Sequence, residues 1–184
     1  MANNQPIFLV IGPPAVGKST TCRAIATQFP RSLHIPVDDL RNMVVSGLEL
    51  PGAEWNASLA QQITLARTAV VDMAQRYQSA GFTVVIDDFW DPGHLADYQG
   101  FLGQSNVHQI ILFPDQDEAH LRNLKRSGDS PARAYIDEGI RNVYQQLAPS
   151  LPRLVEEGWI IIDTTKLSVE STVKMIFHQT ATKI

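Results

Sequence analysis

Near its N-terminus the chain reads Ile7-Phe8-Leu9-Val10-Ile11-Gly12-Pro13-Pro14-Ala15-Val16-Gly17-Lys18-Ser19. The first five residues are all apolar, which is typical of a buried strand. Residues 12–19 then match the spacing G-x-x-x-x-G-K-S of a phosphate-binding loop. Residues 20–26 are predicted to form a helix, so the motif has the strand, loop and helix that it requires.

The chemistry of such a loop predicts a nucleotide site that binds ATP and Mg²⁺. Backbone amides of the loop point into a concavity that holds phosphates, and the following helix adds a favourable dipole. Lys18 is expected to reach the β- and γ-phosphates, and the Ser19 hydroxyl to bind Mg²⁺. The predicted ATP-binding residues of the loop are Gly12, Pro13, Pro14, Ala15, Val16, Gly17, Lys18, Ser19 and Thr20.

Length and composition indicate one ordinary globular domain. The chain has 184 residues, of which 44% are hydrophobic and 18% charged, and its net charge is −4. No basic stripe is present, which disfavours a general nucleic-acid binder. No membrane span or signal peptide is recognised, so we expect a cytoplasmic protein. The single cysteine, Cys22, is expected to be a small buried residue on the first helix.

Apolar runs alternate with helical patterns along the chain, which predicts a parallel α/β sheet covered on both faces. The predicted strands are Ile7–Ile11, Leu33–Val37, Thr83–Ile86, Val107–Phe113 and Trp159–Ile162. The clearest predicted helix is Glu54–Ala80, with an apolar stripe of Trp55, Leu59, Ile63, Ala66, Val70, Met73 and Tyr77. Further helices are predicted at Ala119–Arg126, Ala132–Leu147 and Val169–His178.

Carboxylates follow the second and third predicted strands, where ligands bind in sheets of this kind. Asp87 has the position of an aspartate that holds Mg²⁺, directly or through water. Asp38 is placed to accept a proton from a hydroxyl of the acceptor. Each has a neighbour with a competing role, since Asp39 would suit an N-cap of a helix at Leu40–Val45 and Asp88 a cap or turn.

Arginines occur at the other places where a phosphate or an acceptor would be held. Arg41, three residues after Asp38, is either an acceptor contact or a solvated surface residue. Arg122, Arg126 and Arg133 flank a loop rich in Ser, Gly, Asp and Pro, which indicates either a lid that closes over phosphates or an exposed basic helix beside an ordinary turn.

With these residues in place, the chain resembles the P-loop small-molecule and nucleotide kinases. It is most similar to the small single-domain AAA-like kinases of the zeta-toxin and chloramphenicol phosphotransferase type. The matching pieces are, in order, the loop at residues 12–20, Val37-Asp38-Asp39-Leu40-Arg41, the strand ending at Asp87, and residues 122–133.

The resemblance implies a three-layer P-loop NTPase fold with a five-stranded parallel sheet in the order 2-3-1-4-5. It implies one kinase domain over residues 1–184, with an acceptor-binding helical segment at about 38–80 and a lid at about 122–135. Asp38 would be the catalytic base or an acceptor-binding residue, Arg41 an acceptor contact, and Arg126 a lid arginine near ATP. Between Asp38 and Asp39, the identity of the base stays open.

The leading hypothesis is an ATP-dependent kinase that transfers the γ-phosphoryl group to a small-molecule hydroxyl or phosphate. Lys18, Asp38 and Arg126 are its candidate catalytic residues, and the nucleotide contacts include Arg122 and Arg126. Candidate substrate contacts are Asp38, Arg41, Asp87, Trp90 and Arg133, and candidate metal ligands are Ser19 and Asp87.

Trp55, Phe89, Trp90 and His94 are the aromatic candidates to line the acceptor pocket, with Trp90 and His94 favoured because they follow the third strand. The alternative function is a regulatory nucleotide-binding protein or an NTPase switch. The acceptor and the oligomeric state are left open, and neither nucleic acid nor a membrane is an expected partner.

Overall fold

A five-stranded parallel sheet forms the centre of the molecule in the computed structural model, which describes residues 5–51, 55–91 and 95–182. Its strands are β1 Ile7–Ile11, β2 Ser32–Pro36, β3 Thr83–Asp87, β4 Val107–Leu112 and β5 Ile160–Ile162. Their order is β2-β3-β1-β4-β5, and every neighbouring pair is parallel. The five predicted strands and the expected order are confirmed.

Helices connect these strands and cover the sheet. They are α1 Lys18–Ala26, α2 Val37–Arg41, α3 Ala57–Ser79, α4 Gln116–Ser127, α5 Ala132–Leu147, α6 Leu151–Glu156 and α7 Val169–Gln179. Short 3₁₀ turns lie at Leu95–Tyr98 and Ala148–Ser150. Within the described ranges, no helix combines the length and apolar character needed to cross a bilayer.

The sheet is buried on both faces because alternate residues of β1 enter different apolar clusters. Ile7, Leu9 and Ile11 belong to the cluster that contains Val70 and Ala74 of α3. Phe8 and Val10 belong to the other, with Cys22 of α1 and Ile176 of α7. Burial on both faces explains why the strands are almost continuously apolar. It also confirms that Cys22 is a core residue.

The long helix α3 has the predicted apolar face but a later start. Leu59, Ile63, Ala66 and Val70 are buried. The helix begins at Ala57 because the Asn56 side chain accepts a hydrogen bond from the Leu59 amide at 2.8 Å. Trp55 therefore precedes the helix and is 45% exposed, and Tyr77 is 39% exposed, so their assignment to the core was wrong. The predicted first residue, Glu54, lies outside the described residues.

The short helix after β2 also differs from the prediction. It spans Val37–Arg41 instead of Leu40–Val45, and extended Pro36 occupies its N-cap position. Asp39 is therefore inside the helix, and its predicted role as N-cap was wrong. The chain turns from strand to helix within one residue of Pro36, which brings Asp38 into the first turn of α2.

Candidate active site

The phosphate-binding loop has the backbone geometry that anion binding requires. Gly12, Ala15 and Gly17 have φ angles of 148°, 62° and 94°. Positive φ angles in such a turn direct successive amides into one concavity. A Cβ atom on Gly12 would lie 2.4 Å from the Leu112 carbonyl oxygen, so only glycine fits where the loop crosses β4.

Lys18 lies inside this concavity. Its Nζ donates to the carbonyl oxygens of Gly12 at 3.1 Å and Pro13 at 2.8 Å. Burial lowers the pKa of Lys18, and the charges of Asp38 and Asp87 oppose that shift. The two aspartates predicted at strand ends therefore lie within electrostatic reach of the loop lysine.

Behind the loop, Ser19, Asp87 and His34 form a chain of hydrogen bonds. The Ser19 hydroxyl donates to Asp87 Oδ1 at 2.8 Å, and His34 Nε2 lies 2.5 Å from Asp87 Oδ2. Ser19 and Asp87, the predicted metal residues, are thus brought together. His34 was not predicted, since its partner is far away in the sequence and only the pairing of β2 with β3 joins them.

Two sets of side chains here carry atoms that bind metal ions. Ser19 and Asp87 provide the oxygen atoms that Mg²⁺ prefers. Cys22, His34 and Asp87 also have potential ligand atoms within 4.8 Å of one another. However, burial raises the pKa of Cys22 well above its usual value, so the thiol stays protonated. In addition, His34 is hydrogen-bonded directly to Asp87. The second set therefore fits hydrogen bonding better than a metal ion, whereas the Ser19 hydroxyl, with Asp87 hydrogen-bonded behind it, fits Mg²⁺.

On the predicted acceptor side, Asp38 and Arg41 form the expected pair on one face of α2. Arg41 Nη1 lies 3.2 Å from Asp38 Oδ1, and Nη2 donates to the Glu49 carbonyl oxygen at 3.0 Å. The Arg41 side chain is only 5% exposed, whereas that of Asp38 is 63% exposed. The alternative of a solvated surface arginine is therefore wrong, and Arg41 holds a carboxylate that faces solvent.

Tyr135 of α5 reaches the same region, and it was not predicted as a site residue. Its hydroxyl donates to the Pro51 carbonyl oxygen. Burial raises the pKa of this hydroxyl, and the charges of Arg41 and Asp38 also act on it. Tyr135 therefore connects the segment after α2 to the first turn of α5, beside the predicted acceptor residues.

Two aromatic candidates for the acceptor pocket, Phe89 and Trp90, have different surroundings. Phe89 has the guanidinium carbons of Arg41 at 5.6 Å and of Arg67 at 5.1 Å from its ring centre. Trp90 is only 3% exposed and belongs to the cluster of Tyr98 and Phe101. The prediction that Trp90 lines the acceptor pocket is corrected, because its indole is packed into the core. His94 lies outside the described residues.

A buried ionic network lies next to Phe89. Arg67 of α3 contacts Asp88 at 2.6 Å, Asp91 at 3.3 Å and Asp97 at 3.7 Å. Asp88 Oδ1 also accepts from the Phe89 amide at 2.8 Å, so the expected capping role of Asp88 is found together with an ion pair. The sequence gives one sign of this network, because Arg67 is a charged residue one turn after Ile63 on the apolar face of α3.

The lid arginines differ in their surroundings. Arg122 donates to the carbonyl oxygens of Val16 at 3.0 Å and Thr164 at 2.6 Å, and it pairs with Glu118 at 2.8 Å. Arg122 is thus anchored to the phosphate loop and to the loop after β5. Arg126, one turn later on α4, is exposed.

Arg133 has its contacts at the start of α5 and in the loop before it. Its side chain is 42% exposed and lies 3.7 Å from Asp137 on the first turns of α5. The structure therefore brings Arg122 to the phosphate-binding loop and leaves Arg126 and Arg133 at the surface of the predicted lid.

Comparison with known proteins agrees with this architecture. The family model described as "AAA domain" matches residues 7–147. A shikimate kinase from Bacteroides thetaiotaomicron is similar in structure, with a TM-score of 0.69, 18% identity, and coverage of 96% of this chain and 99% of that chain. The search of curated proteins gave no match.

Two further solved structures show the same likeness. A tunicamycin resistance protein from Deinococcus radiodurans has a TM-score of 0.60 and 17% identity, over 97% of this chain and 98% of that one. A gluconokinase from Sinorhizobium meliloti has a TM-score of 0.61 and 15% identity, over 98% of this chain and 94% of that one. At these identities the likeness establishes the fold.

Proposed function

Because this chain belongs to the family of AAA domains whose model matches residues 7–147, we propose that it is an ATP-dependent phosphotransferase. It transfers the γ-phosphoryl group of ATP to a hydroxyl or phosphate group of a small molecule. Similar structures named shikimate kinase and gluconokinase support this class of reaction. The acceptor of this chain is not given by those names.

The observation that carries the proposal is the position of Asp38. Its carboxylate is 63% exposed and is held by the buried Arg41, and its charge acts on Lys18 inside the phosphate loop. A carboxylate beside the γ-phosphate position can accept a proton from an attacking hydroxyl or orient it. We assign this role to Asp38 rather than to the neighbouring Asp39.

The donor half of the proposed site is the loop at residues 12–20 with Arg122 and Arg126. Lys18 moves from the loop carbonyls to the β- and γ-phosphates when ATP binds. Arg122 contributes positive charge beside the loop carbonyl of Val16, and exposed Arg126 is available to reach the phosphates from α4. Phosphoryl transfer depends mainly on such positioning and charge neutralisation.

Mg²⁺ would be held by the Ser19 hydroxyl, with Asp87 behind it. Bound Mg²⁺ would neutralise charge that develops on the phosphates. Both carboxylate oxygens of Asp87 already have partners, which favours an indirect role in holding Ser19.

The acceptor half of the proposed site comprises Asp38 and Arg41, with Asp87 at its inner edge and Arg133 at the rim of the lid. Because Arg41 is already neutralised by Asp38, it suits a hydrogen bond to a neutral hydroxyl compound better than capture of a second anion.

The test is transfer of radiolabelled γ-phosphate from ATP to a panel of polyols, sugars, amino alcohols and nucleosides, with nucleotide binding measured separately. Lys18→Ala is expected to lose ATP turnover while its unfolding curve stays cooperative. Asp38→Asn is expected to bind ATP as the parent does and to lose transfer by about 10²–10⁴-fold.

Asp39→Asn is the matched control, since it makes the same change at the next residue of α2. It should retain transfer within a few-fold. Full turnover in Lys18→Ala would contradict the mechanism. An equal loss of ATP binding in Asp38→Asn would assign that residue to folding or to metal binding. ATP binding without transfer to any acceptor in the panel would favour a regulatory nucleotide-binding protein.

A further inference from the structure

We propose that His34 is a positioning residue that fixes the Asp87 carboxylate and, through it, presents the Ser19 hydroxyl to Mg²⁺. The inference rests on the nucleotide and metal site of the proposed function, and it extends that site to the second strand. His34 touches neither ATP nor Mg²⁺ in this arrangement.

Strand pairing brings His34 to this place. In the register of β2 with β3, Pro36 is opposite Asp87 and His34 is opposite Val85. Side chains two residues apart on a strand share a face, so His34 and Asp87 project to the same side of the sheet. That side is covered by α1, which carries Ser19 in its first turn.

The contact between His34 and Asp87 is short and shielded from solvent. The distance from Nε2 to Oδ2 is 2.5 Å, and the two side chains are 12% and 8% exposed. A hydrogen bond to a carboxylate in such surroundings is stronger than one exposed to water. A carboxylate oxygen accepts, so this bond uses the tautomer of His34 that carries its proton on Nε2.

This bond determines what the other Asp87 oxygen can do. With Oδ2 held by His34, Oδ1 is directed at Ser19 and accepts its hydroxyl proton at 2.8 Å. The proton of Ser19 is then directed at Asp87, which leaves the lone pairs of its oxygen to bind a cation. Loss of the His34 bond would let the carboxylate rotate, and the hydroxyl would no longer be held in one orientation.

An apolar residue would be the simpler choice at this position if only packing mattered. The strand residue opposite His34 is Val85, which belongs to the apolar cluster under α1 together with Phe8 and Val10. Placing an imidazole beside such residues costs free energy unless it is hydrogen-bonded. The bond to Asp87 offsets that cost, so the histidine is explained by the carboxylate it holds.

The experiment measures the affinity for ADP by calorimetry with Mg²⁺ and with excess EDTA, so that no acceptor is needed. His34→Leu removes the donor and keeps the bulk of the side chain. We expect its affinity without Mg²⁺ to match the parent, while the gain on adding Mg²⁺ falls about 10–100-fold, as for other residues that orient metal ligands.

A pair of amide variants keeps the test decisive if His34→Leu does not fold. The Gln amide can reach the place of Nε2, whereas the shorter Asn amide cannot. His34→Gln should therefore keep most of the Mg²⁺-dependent gain, and His34→Asn should lose it. The inference would be overturned if Mg²⁺ raised the ADP affinity of these two variants equally. It would also be overturned if Mg²⁺ raised the ADP affinity of His34→Leu as much as that of the parent.

His108→Leu is the matched control. His108 is also a partly buried strand histidine, on β4, and its ring packs against Phe8 at 5.0 Å, away from Asp87. It should leave the Mg²⁺-dependent gain unchanged. If Mg²⁺ does not raise the ADP affinity of the parent protein, the metal site of the proposed function is wrong. If Mg²⁺ raises the ADP affinity of the parent and of His34→Leu equally, only the role of His34 is wrong.

Discussion

Arg67 is fully buried, and its guanidinium contacts the carboxylates of Asp88, Asp91 and Asp97 at 2.6, 3.3 and 3.7 Å. Arg67→Met would keep much of the side-chain volume and leave these carboxylates without their shared cation. We expect the free energy of unfolding to fall by about 3–5 kcal/mol, because an uncompensated buried charge is costly. Urea unfolding followed by circular dichroism measures the change.

Arg76→Met is the control for this prediction. Arg76 lies in the last turn of the same helix and is exposed. An exposed substitution of this kind changes stability by no more than about 0.5 kcal/mol. If Arg67→Met and Arg76→Met lowered the free energy of unfolding equally, the stabilising role of the Arg67 ion pairs would be contradicted. The double variant Arg67→Met with Asp88→Asn should recover part of the loss, since one of the unpaired charges is removed.

Individual residues could be predicted from the sequence when a local rule fixed their position. Lys18 and Ser19 follow from the spacing of the loop, and Asp38 and Asp87 from the ends of strands. His34 and Arg67 could not be assigned in this way because their partners are 53 and 21 residues away. Such pairs become visible only after the strand order is known.

At the scale of elements, the start of α3 depends on Asn56. Its side-chain oxygen accepts from the Leu59 amide, which satisfies one of the free donors at the helix N-terminus. Asn56→Ala should lower the free energy of unfolding by about 1 kcal/mol, within the range of about 0.5–2. Asn56→Ser should retain most of the stability, since its hydroxyl also caps and adds no charge beside the Glu49 carboxylate, which lies 3.5 Å from the Asn56 amide nitrogen. A loss as large in Asn56→Ser as in Asn56→Ala would contradict the capping role.

Replacing Gly139 or Gly12 by alanine is expected to change the free energy of unfolding in opposite directions. Gly139 is inside α5, and a Cβ there would meet Pro14 Cγ at an ordinary 3.5 Å. Gly139→Ala should therefore raise the free energy of unfolding by about 0.4–1 kcal/mol. Gly12→Ala should lower it by more than that, because its Cβ would meet a backbone oxygen at 2.4 Å. Thermal unfolding of both variants tests the contrast, and stabilisation by Gly12→Ala would disprove the close approach.

Elements were predictable where one side-chain pattern dominated. The apolar strands and the stripe of Leu59, Ile63 and Val70 follow from periodicity alone. The starts of helices were not predictable in this way, because each depends on a single capping residue. The predicted apolar stripe extends to Trp55, whereas the N-cap Asn56 makes the helix begin at Ala57. The start of α2 was misplaced for a similar reason, since extended Pro36 precedes it directly.

At the scale of the whole molecule, periodicity predicted a parallel sheet but did not give its strand order. The order came from the resemblance to P-loop kinases, and the structure has it. Apolar strands buried on both faces look alike in sequence, so nothing local distinguishes a central strand from its neighbours. The order matters for function because it puts β3 between β2 and β1, which brings His34 to Asp87 and Asp87 to Ser19.

Arg122 connects α4 to two loops, and its replacement tests whether these loops open together or independently. It links α4 to the phosphate loop at Val16 and to the loop after β5 at Thr164. Arg122→Met would leave two carbonyl oxygens without this donor, and we expect a loss of about 1–3 kcal/mol in the free energy of unfolding. Hydrogen exchange should become faster at residues 12–19 and 163–167 together, while exchange in β3 stays slow.

Arg126→Met is the matched comparison, because it changes the same residue type one turn later on α4 where the side chain is exposed. It should leave both stability and exchange unaltered, and under the proposed function it should lower the rate of phosphoryl transfer. Faster exchange in only one of the two loops of Arg122→Met would mean that they open independently. Faster exchange in both loops would mean that a single guanidinium joins α4 to the phosphate loop and to the loop after β5.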